Sequence, residues 1–68
     1  MRFIMVHRRT GTGKETMPTW VNIDNINTIS TAVTDPPGSR ITMRDGFLVV
    51  EDDVSAVLEK IRRAETDD

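Results

Sequence analysis

The residues able to do chemistry in this chain form three groups: a glycine-rich run at 10–16, a basic run at 7–9, and acids spread between 24 and 53. The first, "TGTGKET", has the outline of a phosphate-binding loop, in which curled backbone N–H groups cradle phosphate and a hydroxyl after the lysine reaches magnesium. Two positions break it. Counting back from Gly13 and Lys14, the opening glycine should stand where Arg8 stands, and the hydroxyl position holds Glu15, whose charge repels phosphate. Nucleotide binding is not expected, and Gly11 and Gly13 are read as permitting a backbone reversal.

His7, Arg8 and Arg9, with Lys14 nearby, offer a basic contact for nucleic acid through the charge attraction that dominates such binding. Trp20 is the one stacking surface in that region, whereas single-strand readers present several. A small nucleic-acid-binding regulator is therefore kept as the alternative function. Asp24, Asp45, Glu51, Asp52 and Asp53 suggest calcium binding or paired-carboxylate catalysis, but the alternating ligands and closing glutamate of a calcium loop are absent. Asp45 is explained by a turn, and Asp52 or Asp53 by the start of a helix. There is no cysteine, and His7 is the only histidine. It cannot build a zinc site alone, and no serine partner is signalled. The reading is a non-enzymatic protein with no cofactor and no metal.

A chain of 68 residues is a single domain near the lower size limit, because it buries only about 60% of the surface it exposes when unfolded. With neither disulfides nor a metal to staple the core, self-association into a homo-oligomer is expected. Nine basic residues against eleven acidic ones leave a net charge of −2, which argues against general nucleic-acid or membrane-surface binding. The opening "MRFIMVHRR" is too short and too charged for a signal peptide. No run approaches the ~20 apolar residues of a membrane span, so a cytoplasmic location is expected.

Secondary-structure signals place these groups. "RFIMVHRR" is a first strand, 10–19 a loop, "TWVNI" a second strand, "NIDN" a tight or short helical turn, and "INTISTAV" a third strand bounded by "DPPG". Asp45-Gly46 predicts a two-residue hairpin pairing Arg44 with Phe47, Met43 with Leu48, Ile41 with Val50 and Arg40 with Glu51. That register gathers Ile41, Met43, Leu48 and Val50 on one face. Phe47 and Val49 fall on the other, where cover by the first strand or by another copy is expected. "DDVSAVLEKIRRAE" is an amphipathic helix whose stripe Val54, Val57, Leu58 and Ile61 should seal the apolar face. On this reading Leu58→Asp would abolish cooperative folding. The fold class is α+β: a small curled antiparallel meander of four to five strands within 2–51, closed by one C-terminal α-helix at about 53–64.

The order of these signals resembles the FlbD family of small bacterial flagellar accessory proteins. The matching positions are Val21, Asn22, Asp24, Ile26 and Ile29, then Ile41, Thr42, Gly46, Val49 and Val50, then Val54, Val57 and Ile61. They cover the chain from Trp20 to Arg62. The resemblance implies a non-enzymatic accessory role in motility. The candidate protein interface is Trp20 with Phe47 and Val49, since a large aromatic beside a loop often anchors a partner. A mobile-element-encoded inhibitor of a host protein is a further alternative.

Overall fold

Burial along the start of the first segment alternates with a period of two: Ile4 and Val6 are buried, while Phe3 is exposed and Met5 and His7 are half-buried. That is the pattern of a strand with one face on a core. In the computed structural model of the protein, which describes residues 2–10, 15–34 and 36–66, this segment is β1 (Phe3–Thr10). It is followed by β2 (Glu15–Asn22), a 3-10 turn at Ile23–Asn25, β3 (Ile26–Ala32), β4 (Gly38–Met43), β5 (Gly46–Val50) and α1 (Val54–Thr66). The five strands form one antiparallel sheet in the order β2-β1-β5-β4-β3.

This order requires curl. β2 and β3 are the two edges, yet only the three residues Ile23–Asn25 join them. Edges of a flat five-stranded sheet would lie about 19 Å apart, whereas the chain from Asn22 to Ile26 reaches at most about 14 Å. The sheet therefore bends round its own core, which comprises Ile4, Val6, Val21, Ile41, Val50 and Val57. Asn22 caps the 3-10 turn by accepting the Asp24 N–H at 3.0 Å, the local bonding expected of asparagine at a turn.

Three expectations change. The loop read at 10–19 is mostly strand: β1 and β2 pair continuously from Phe3↔Asn22 to Thr10↔Glu15. Pro18 is tolerated because β2 is an edge. Ile23 donates to the Arg2 carbonyl in the same ladder, so the odd-numbered residues of β2 bond to β1 and Pro18 points its nitrogen outward. Residues 11–14, including Gly11, Gly13 and Lys14, lie outside the described residues.

The β4–β5 hairpin exists, but its register is Met43↔Gly46, Thr42↔Phe47, Ile41↔Leu48, Arg40↔Val49 and Ser39↔Val50. The expected Arg40 and Glu51 pair does not form. Turning at Arg44-Asp45 spares Asp45 a positive φ, which costs a residue with a Cβ roughly 1–2 kcal/mol. Among the described residues only Gly46 takes one, at 154°. The change preserves face parity, so Ile41, Met43, Leu48 and Val50 still share the core side. The third correction concerns the helix. Val57 is fully buried and Ile61 and Ala64 pack on the core, but Leu58 is 51% exposed. Small Ala64 completes the stripe that Leu58 was expected to fill.

Candidate functional site

Strand alternation puts Phe3 and Met5 of β1 on the face away from the core, and the register sets Trp20 of β2 directly opposite Met5. The end of α1 runs past this side. Phe3, Met5 and Trp20, with Lys60, Arg63 and Ala64 from the helix, line an open groove of about 270 Å³. Trp20 is 61% exposed, and Phe3 is also exposed. Core filling therefore does not account for the indole. The groove's cations are already engaged. Lys60 donates to the Met5 carbonyl at 2.7 Å and lies 3.3 Å from Asp52. Arg63 bonds Glu59, whose carboxyl is held at about 2 by Arg62 and Arg63. The site is thus an apolar trough whose rim cations are paired.

Asp52 links the elements that shape this groove. Its side chain is 9% exposed. Oδ1 accepts the His7 backbone N–H at 2.8 Å, and Oδ2 lies 3.3 Å from both His7 Nδ1 and Lys60 Nζ. The buried Ser39 hydroxyl donates to the Asp52 carbonyl at 2.6 Å. Burial pushes the Asp52 carboxyl up, yet the His7 N–H, the imidazole, the Asp52 backbone and Lys60 together hold it below the usual carboxylate range. Sequence reasoning treated Asp52 and Asp53 alike as helix caps. The structure gives the capping to Asp53, which accepts the Ala56 N–H at 2.7 Å. The signal was present: one cap suffices for a helix, so a second adjacent acid was spare.

The other predicted positions lie elsewhere. Phe47 and Val49 share the outer face of β5, and Phe47 is 57% exposed. Its cover comes from Arg40, whose guanidinium lies 4.5 Å from the ring centre. β1 instead meets β5 edge to edge, at Arg8↔Val50. The structure does not bring Trp20 and the Phe47/Val49 pair into one groove.

The basic run is divided by strand alternation: His7 and Arg9 project from one face and Arg8 from the other. His7 is bound to Asp52, and Arg9 donates to Thr34 Oγ1 at 2.7 Å and to the Pro37 carbonyl at 3.1 Å, fastening the β3–β4 connection. Lys14 falls outside the described residues. Among the described residues no cluster of histidine and acids is arranged to hold a metal ion, and no helix is long and apolar enough to cross a membrane. Comparison with protein-family models, with curated proteins and with solved structures finds no match to this chain.

Proposed function

We propose that this protein is a non-enzymatic accessory factor that acts by binding another protein, with the Trp20 groove as the docking surface, and that it also self-associates. The observation that carries the reading is an indole held 61% exposed beside a trough lined by Phe3 and Met5. Tryptophan is enriched among the few residues that carry most of the free energy of protein interfaces. The charge-balanced rim fits a protein partner better than a polyanion, whose binding needs uncompensated cations. The resemblance of 20–62 to the FlbD family favours a motility-related role in the cytoplasm.

Trp20 is the sole tryptophan, so its fluorescence reports directly on the groove. Wild-type protein used as bait should retain a partner, and adding that purified partner should shift the indole emission to the blue. Trp20→Ala should melt as wild type does while binding the same partner about 30-fold more weakly, the loss typical of a central interface aromatic. Equal binding by Trp20→Ala would sink the reading. Salt-steep nucleic-acid binding, lost in Arg8→Ala/Arg9→Ala, would replace it with the regulator alternative.

A further inference from the structure

The two edges of this sheet are defended unequally. β2 carries Glu15 and Pro18, both devices that discourage an incoming strand. β3, "INTISTA", has seven residues with neither a charge nor a proline; its one irregularity is a register shift against β4 between Ile26 and Thr28, and the run from Thr28 to Ala32 is regular. Asn27, Thr28, Ser30 and Thr31 are all exposed, and Ile29 is only half-buried. Such an edge presents free N–H and C=O groups to any strand that arrives.

Beside this edge lies the exposed Leu58. The start of α1 is tied to Ser39, which pairs with Thr31 of β3, through the bond to the Asp52 carbonyl. Its end is tied through Arg2, which bridges Glu65 at 3.6 Å and Asp24 at 2.6 Å, just before β3 begins. The helix therefore runs alongside β3 in the opposite direction, with its middle level with Ile29. Lys60 bonds to β1. Leu58, two residues earlier and so about 200° round the helix, looks away from β1 to the β3 side.

We propose that β3 pairs antiparallel with β3 of a second copy about a two-fold axis near Ile29, with Leu58 packing against its counterpart across the same axis. This assignment rests on the self-association reading and names its surface. Self-pairing places like beside like, so any charge on the strand would repel its own copy, and β3 has none. The pairing sets each Thr28 opposite a Ser30 on the outer face and the two Ile29 side chains opposite each other on the core face. A two-fold contact of this kind closes at two chains and leaves no free β3 edge to extend.

The test is mass by light scattering against concentration. A strand edge with one leucine buries less than the roughly 1,200 Å² of standard interfaces, so pairing is expected at roughly tens to hundreds of micromolar. Wild type should rise from one chain to two and stop. Thr28→Lys/Ser30→Lys should stay at one chain, and its equal mixture with Thr28→Glu/Ser30→Glu should recover two. Leu58→Asp should remain folded and weaken pairing at least tenfold.

A wild-type mass fixed at one chain overturns self-association itself. A two-chain mass unchanged in both the lysine and the Leu58→Asp variants leaves self-association standing and overturns the β3 assignment. Amide exchange on wild type makes the decision independent of variant folding: protection at 26–32 should grow with concentration while that at 15–20 does not. Absence of that growth when two chains form also overturns the assignment.

Discussion

β5 has two seams, and they are built differently. Toward β4 it is joined by five consecutive register pairs, from Met43↔Gly46 to Ser39↔Val50. Toward β1 there is one register pair, Arg8↔Val50, extended by the Glu51 N–H to the His7 carbonyl at 2.8 Å. Beyond that point β1 leaves β5, and side chains take over its free edge: Asp52 holds the His7 N–H and Lys60 holds the Met5 carbonyl. A ladder repeats one backbone bond and tolerates most sequences. A side-chain seam depends on particular groups from several elements, so a single substitution can open it. The same departure of β1 from β5 makes room for α1 and creates the groove beside Trp20.

The largest expected effect removes what both seams share. Val57 is fully buried beneath them, and Val57→Asp places an unpaired charge in the core. Mutations of this type cost more than about 4 kcal/mol, comparable to the whole stability of so small a core. Circular dichroism should show no cooperative transition. A normal melt would mean that the helix is an appendage.

Next comes the side-chain seam. Asp52→Ala strands the His7 N–H and the Lys60 ammonium, an expected loss of about 3 kcal/mol at neutral pH. The pH dependence follows from the lowered Asp52 value. The unfolded carboxyl titrates near about 3.9, so the stabilisation is complete above that pH and disappears as pH falls through the lower folded value. Wild type should therefore lose stability as pH falls below about 4, where its curve converges on that of Asp52→Ala. Parallel curves through that range would remove Asp52 from its assigned role.

The ladder seam should be more forgiving. An alanine Cβ at Gly46 would meet nothing within 4 Å, so space is not limiting, but its φ of 154° suits glycine. Gly46→Ala should cost about 1–2 kcal/mol and leave the acid limb unchanged. Chemical denaturation at pH 7 and pH 3 separates the two seams. A larger loss at Gly46 than at Asp52 would reverse their ranking.

Much of the fold was legible because its signals are local. Asp45-Gly46 between β-rich runs placed a hairpin, and the face shared by Ile41, Met43, Leu48 and Val50 survived a register change that preserved parity. The error in register arose because the sequence marks a glycine turn without saying which residue must take the positive φ. Pro18 misled in the opposite way: it looked like a boundary, but an edge strand has no use for its missing N–H. The division of the basic run between two faces needed only the period of a strand. Whether His7 and Arg9 would find partners did not follow from it, since Asp52 and Thr34 are 45 and 25 residues away.

By itself, the sequence determined the number and order of the strands, the core face of the β4–β5 hairpin and the closing helix, because periodicity and turn chemistry act within a few residues. Only the tertiary structure decided the seam between β1 and β5, the partners of Asp52, the exposure of Leu58 and the groove beside Trp20. Those depend on how a short 3-10 turn between opposite sheet edges forces the sheet to curl, which sets groups distant in sequence against one another.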